Sequence, residues 1–289
     1  MKRGPVTPKG FRDIEPELAK RRRGAINKIA TVLESFGFTP IETPTIEFAD
    51  TLLGKYGEDE KLIYQFADRG GRILALRFDL TVPLARFIAN NLGLLNPTFS
   101  RYQIGQVFRG ENPQKGRYRE ISQFDFDTVG SANLEEDAKI IASAIKAVRE
   151  VGLENAQMAI NDRQNFKDLS IEDIRTIDKI YKVGKENTEK RLLDFVENTK
   201  LTQNLEKIFN LLENKYNLKK GSDFFFDPTL ARGLDYYTGA IFELKPNGNP
   251  DEQTIGGGGR YDNLIGIFAG RQIPAVGFSF GLDRLVELL

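Results

Sequence analysis

The stretch that decides the fold is Phe108 to Asp127, FRGENPQKGRYREISQFDFD. It holds Arg109, Arg117 and Arg119 together with Lys115, grouped around Asn112-Pro113 and Gly116. Asn-Pro and Lys-Gly are turn chemistry, so residues 110–117 read as a loop between two extended runs, Thr98 to Phe108 and Tyr118 to Val129. Alternation in the outgoing run puts Tyr118, Phe124 and Phe126 on one face and Arg119, Gln123, Asp125 and Asp127 on the other. Two readings of that polar face stand side by side. It lines a cleft whose arginine-bearing loop closes over phosphates, or it is a solvated hairpin face.

Composition narrows the chemistry. Forty-one basic and forty-one acidic side chains cancel, so any nucleic-acid contact must come from local patches. The chain contains neither cysteine nor histidine. That removes disulfides, Ser-His-Asp and Cys-His nucleophiles, and a conventional zinc site. Catalysis would fall to arginines, carboxylates and tyrosines. Without a long apolar run or a signal-peptide core after Met1-Lys2-Arg3, the expectation is a cytoplasmic protein with no membrane partner.

Working outward, Pro16 to Phe36 has a proline tolerated in a first turn, helical apolar spacing and a stop at Gly37. Its Lys20–Arg23 run, KRRR, is either an RNA contact or the helix's solvated face. Gly37 to Phe48 reads as one strand bearing Pro44, bordering something. Residues 62–66 and 73–78 read as a strand pair across Asp68-Arg69-Gly70-Gly71. LRFDLTVPLARF (76–87) passes into a helix that Asp79 or Thr81 can cap. Asn133 to Val151 is an amphipathic helix and Gln157 to Asn161 a strand. Residues 163–221 turn helical and rich in Lys, Glu, Asp and Asn, which predicts a small helical insertion. Phe224 to Asp227 resumes a strand, ARGLDYYTGAIFE (231–243) follows, and the four glycines of IGGGGRYDNL (255–264) permit close backbone approach by a ligand or a neighbouring strand. Ala275 to Leu289 runs from a buried strand into a helix through Gly281.

FRGENPQKGRYRE closely resembles motif 2 of class II aminoacyl-tRNA synthetases in its histidyl-tRNA synthetase form. The helix and Pro-bearing strand before it resemble motif 1, AVGFSFGLDRLVELL resembles motif 3, and ARGLDYYTG resembles a motif specific to histidyl-tRNA synthetases. The resemblance implies an α/β fold of α+β type, with a large, mostly antiparallel sheet flanked by helices. The synthetase-like domain would comprise residues 1–162 and 222–289, with the insertion at 163–221. It implies a homodimer through the motif 1 region. Because motif 3 stands at the end of the sequence, it also implies that the anticodon-binding domain is absent.

The implied reaction joins histidine to ATP and transfers it to the 3′ end of tRNA, with magnesium expected beside ATP and no protein metal ligand identified. Arg109 would contact the α-phosphate and the substrate carboxylate, Arg117 and Arg284 the γ-phosphate end, and Glu111 the adenine amino group. Ile121 replaces the family's usual aromatic residue beneath adenine. Arg232 would lie beside the reacting centre. Asp79, Thr81, Gln123 and Asp127 would surround histidine's amino group and polar atoms, with Tyr236 and Tyr237 closing the pocket. The alternative is a non-catalytic, histidine-sensing regulatory subunit of ATP phosphoribosyltransferase, which has this fold without the anticodon domain.

Overall fold

The computed structural model describes residues 6–95, 98–113, 118–231, 236–248 and 253–289. Helix α1 (Pro16–Ser35) starts with proline in its first turn and ends against Gly37 at φ 84°, a conformation that favours glycine. The Pro-bearing stretch after it is two short strands rather than one. β1 (Thr39–Pro40) pairs parallel with the strand at 99–108, while β2 (Ile46–Phe48) joins a separate small sheet. Thr43 and Pro44 stand at the break, and their carbonyls accept from the Arg77 guanidinium instead of from a strand partner.

After α2 (Ala49–Leu52), β3 (Gln65–Ala67) and β4 (Ile73–Leu76) form the anticipated hairpin, and the small sheet has the order β2-β4-β3. Asp68 Oδ1 accepts from the backbone N–H groups of Gly70 and Arg72, which fixes the turn. α3 (Thr81–Asn90) follows. β5 (Phe99–Phe108) and β6 (Glu120–Val129) are the arms of the deciding hairpin, in register from Phe99 opposite Val129 to Phe108 opposite Glu120.

α4 (Leu134–Glu150) is capped by the Asn133 side chain and leads to β7 (Gln157–Asp162). Residues 163–221 carry α5 (Ile171–Asp178), α6 (Ile180–Val183), α7 (Lys190–Asn198) and α8 (Gln203–Asn214). α8 packs on α4 through Leu205, Ile208, Phe209 and Leu212, whereas Ile177 and Leu192 cover Ala159 and Ile241. The remaining elements are β8 (Phe224–Phe226), β9 (Ala240–Lys245), β10 (Gly256–Arg260), α9 (Gly266–Ala269), β11 (Ala275–Gly281) and α10 (Leu282–Glu287).

The large sheet has the order β1-β5-β6-β11-β10-β9-β7-β8 and is antiparallel except at its two ends. The core lies on one face, where α1, α4, α8 and α10 meet Phe124, Phe126, Phe242, Phe278 and Phe280. Burying rings of this size is the main stabilising contribution, on the order of 2 kcal/mol each. The glycine run is the strand β10 itself. Gly256 and Gly258 face the core, where Phe278 and Phe242 rings occupy the space a Cβ would need. Gly257 and Gly259 face the other side.

KRRR is neither uniformly solvated nor free. Lys20, Arg21 and Arg23 are exposed, but Arg22 reaches Asp283 and the Ser122 hydroxyl. Asp283 also accepts from Arg12 at 2.8 Å and from the Ser122 N–H at 2.9 Å, so one carboxylate joins α1, β6 and α10.

Candidate active site

On the face opposite the core, the hairpin's polar residues are buried rather than solvated. The register sets Arg101 opposite Asp127, Gln103 opposite Asp125, and Gly105 opposite Gln123. On the other side of β6, β11 sets Gly277, Ser279 and Gly281 against the same three residues. Asp125 and Asp127 are each 3% exposed and Arg101 is fully buried. Arg101 Nη2 lies 2.6 Å from Asp127 Oδ2, and the Tyr261 hydroxyl donates to Asp127 Oδ1. Carboxylates kept this dry need such partners.

The electrostatics follow from burial. Loss of water pushes the Asp125 carboxyl up to about 7, against the lowering effects of Arg101 and the Ser279 hydroxyl; Asp127 and Asp79 push it the same way as burial. Burial also raises Asp127 and Asp79. Arg77 adds a further buried cation above the floor, where a Cβ on Gly105 would lie 2.3 Å from its Nη2.

Asp79 stands just before α3. Its Oδ1 accepts from the Tyr56 hydroxyl at 3.0 Å and from the N–H groups of Thr81 and Val82 at 3.1 and 3.0 Å. It therefore does cap the helix, but with one oxygen only. Its Oδ2 is buried without a hydrogen-bond partner among the described residues, and so is Gln123 Oε1. Two lone acceptors in one dry cleft call for a ligand rich in donors.

Aromatic side chains wall this cleft. Tyr236 packs edge-on against Tyr237 (centroids 5.2 Å apart) and against Tyr261 (5.8 Å), and its hydroxyl hydrogen-bonds Thr81. Burial raises the phenols of Tyr236 and Tyr237, so both remain neutral donors at neutral pH. Tyr237's ring sits over Gly259, where a Cβ would approach to 2.9 Å.

At the hairpin's open end, Arg109 Nε donates to the Phe78 carbonyl at 3.2 Å and its guanidinium lies 4.6 Å from the Phe78 ring centroid. That leaves its Nη groups for other acceptors. Arg109 also acts electrostatically on Asp79, which ties it to the polar cleft. Glu111 follows, with its carbonyl held by Arg119 Nε at 2.8 Å. Ile121 pairs with Val107 two positions from Gln123, giving an apolar floor. Arg284 is exposed on α10 and donates to the Thr254 carbonyl at 3.2 Å.

Asp79, Thr81, Arg109, Gln123, Asp127, Tyr236 and Tyr237 thus come together, whereas Glu111 and Ile121 stand at the open end of the hairpin and Arg284 on the exposed side of α10. Arg117 and Arg232 lie outside the described residues. Sequence reasoning missed Tyr56, Arg77, Arg101, Tyr261 and Ser279. Only Tyr261, in GRYD directly after the glycine run, carried a local signal; the others acquire their roles from cross-strand register.

Comparisons with known proteins converge on one family. A family model described as "Histidyl-tRNA synthetase" matches residues 10–172 and 162–285. The histidine–tRNA ligase of Aeropyrum pernix is 39% identical over 98% of this chain and 74% of its own length. That of Treponema denticola is 37% identical over 99% of this chain and 73% of its own. A solved histidyl-tRNA synthetase from Nostoc sp. is similar with TM-score 0.83 and 30% identity, covering 100% of this chain and 76% of that one. A Bacillus halodurans protein described as an ATP phosphoribosyltransferase regulatory subunit/histidyl-tRNA synthetase has TM-score 0.83 and 25% identity, covering 100% of this chain and 84% of that one.

Proposed function

The chain belongs to the histidyl-tRNA synthetase family, and we propose on that footing that it activates histidine with ATP and transfers the histidyl group to the 3′ end of tRNA. The observation that carries this reading is a pair of buried acceptors without a partner among the described residues, Asp79 Oδ2 and Gln123 Oε1, beneath a tyrosine wall and beside Arg109. Histidine supplies what they lack: an ammonium group and ring N–H donors. A site of this kind rejects isosteres without such donors.

The chemistry asks little of acid–base groups. The histidine carboxylate is already an anion; it attacks the α-phosphorus, the bond to the bridging oxygen breaks, and pyrophosphate leaves. The protein must bring two anions together and stabilise the added negative charge. Arg109 is the cation for the α-phosphate and the carboxylate, with Arg232 completing the pair. Arg117 and Arg284 take the γ-phosphate end, Glu111 the adenine amino group, and Ile121 the adenine face. Asp79, Thr81, Gln123 and Asp127 hold histidine's donors, and Tyr236 and Tyr237 enclose its ring.

Magnesium is expected to arrive with ATP. Among the described residues no group of three or more His, Cys, Asp or Glu side chains could hold a metal ion, so no step is assigned to a protein-bound ion. We assign residues 163–221 to an insertion within the catalytic domain. A homodimer forms through the small sheet, where Ile46, Phe48 and Phe66 share one face and are 43%, 57% and 40% exposed. Among the described residues no helix is long and apolar enough to cross a membrane, and the reaction belongs in the cytoplasm with its tRNA.

The second reading, a histidine-sensing regulatory subunit, is favoured by the likeness to the Bacillus halodurans protein. ATP–pyrophosphate exchange separates the two. Histidine-dependent exchange that falls by about a thousandfold in Arg109→Ala supports the ligase. Histidine binding without exchange replaces the ligase reading with the regulator.

A further inference from the structure

The cleft floor contains a hydrogen-bond relay whose direction is set when Asp125 is ionised. Gln123 Nε2 donates to Ser279 Oγ at 3.0 Å, and Ser279 Oγ donates to Asp125 Oδ1 at 2.5 Å. Ser279 sits on β11 directly opposite Asp125, two residues before Gly281, which is opposite Gln123. A serine hydroxyl has one proton. An ionised carboxylate has none to give, so the hydroxyl must donate to Asp125 and can only accept from Gln123. The amide is thereby forced to turn its NH2 toward Ser279 and its oxygen away. That oxygen is one of the buried cleft acceptors without a hydrogen-bond partner among the described residues.

We propose that Asp125 and Ser279 are positioning residues that set the orientation of the Gln123 amide, keeping its oxygen as an acceptor and so selecting a substrate that brings an N–H donor. The inference deepens the proposed histidine site and rests on that reading. Neither residue needs to touch the substrate. An amide released from the relay could present its NH2 instead, which would repel an ammonium group and leave a ring N–H without an acceptor. Asp125, buried behind the amide, makes the choice for it. Arg101 supports the ionised form through its charge, and the hydroxyl does so directly.

The test is a double-mutant cycle read by calorimetry at pH 8, above the raised Asp125 value, where free histidine's imidazole is neutral. Ser279→Ala should weaken histidine binding roughly tenfold or more while leaving ATP binding within about twofold. Gln123→Ala should cost at least as much. The double variant should be no more than about twofold worse than Gln123→Ala, because Ser279 acts only through the amide. Ser279→Thr restores the hydroxyl opposite Gly257, which has no side chain, so its affinity should lie within about threefold of the unaltered protein. Histidine binding unchanged in Ser279→Ala, or losses that multiply in the double variant, would overturn the relay while leaving the histidine site standing. If the unaltered protein binds no histidine, the proposed site falls and the relay's role in selection falls with it.

Discussion

Two neighbouring glycines should answer very differently to the same added methyl group. Gly258 faces the core, and a Cβ there would lie 2.1 Å from the Gly277 carbonyl oxygen, 2.7 Å from the Phe242 ring and 2.8 Å from Phe278 Cα. A carbon and a carbonyl oxygen ordinarily stand no closer than about 3.3 Å, so β10 and β11 would have to part by about 1 Å. Both are interior strands, so the shift disturbs ladders on each side. Overpacking of this kind costs 1–3 kcal/mol and here should reach about 3 kcal/mol, set against a gain of roughly 0.4–1 kcal/mol from a stiffer unfolded chain. At about 2.1 cal/mol/K per residue, a chain of 289 residues unfolds with an entropy near 0.6 kcal/mol/K. Gly258→Ala should therefore lower Tm by about 3–4 °C. Gly257 faces the cleft, where a Cβ would meet only the Phe242 carbonyl at 3.4 Å and Glu243 Cγ at 3.7 Å. Gly257→Ala should hold Tm within about 2 °C and, on the proposed ligase reading, lower pyrophosphate exchange at least tenfold, because its methyl would project into the cleft. Scanning calorimetry and exchange on the two variants decide the matter. Equal losses of Tm would refute the assignment of opposite faces.

Asp125→Asn should alter the pH dependence of stability. Because burial raises the folded carboxyl to about 7, above its unfolded value, Asp125 contributes stability at low pH that is lost as pH rises through 7. The variant should gain on the parent between pH 5 and pH 8 by at most about 3 kcal/mol in urea unfolding, and a gain in the opposite direction would exclude a raised carboxyl. Asp283→Ala should cost about 3 kcal/mol, since it strands Arg12, Arg22 and the Ser122 N–H together. Arg21→Ala, on the same helix but exposed, should stay within about 0.5 kcal/mol. Phe48→Lys should convert a dimer into a monomer in light scattering, with no change in the unfolding midpoint of the isolated subunit beyond about 2 °C. A dimer that persists would move the interface elsewhere.

The parts of the fold visible in the sequence are those set by local periodicity. The β5–β6 alternation, the apolar face of α4 and the stop at Gly37 depend on neighbours a few residues away. The break between β1 and β2 was not visible, because it depends on Arg77 capturing the carbonyls of Thr43 and Pro44. Arg101 looks like any strand arginine until Asp127 is placed across from it. Alternation separated Asp125 and Asp127 from the aromatic face but could not say whether their side was wet. That is settled by Tyr236, Tyr237 and Tyr261, which arrive from far along the chain. Arg22 illustrates the converse: three of the four residues in KRRR are exposed, and the fourth pins a helix that lies at the other end of the sequence.

The strand order has a consequence for how this chain emerges during translation. β11 lies between β6 and β10, so among the described strands of this sheet a central one is synthesised after all the others. Until it arrives, the β5–β6 hairpin presents a long, unpaired edge rich in phenylalanine. At roughly 5–20 residues per second, the stretch from residue 130 to residue 274 occupies the ribosome for on the order of ten seconds. During that interval the nascent chain has a sticky border and no cleft, the condition in which strands recruit the wrong partner. A stalled or shortened message ending before Ala275 would yield a polypeptide with two half-sheets and nothing to join them.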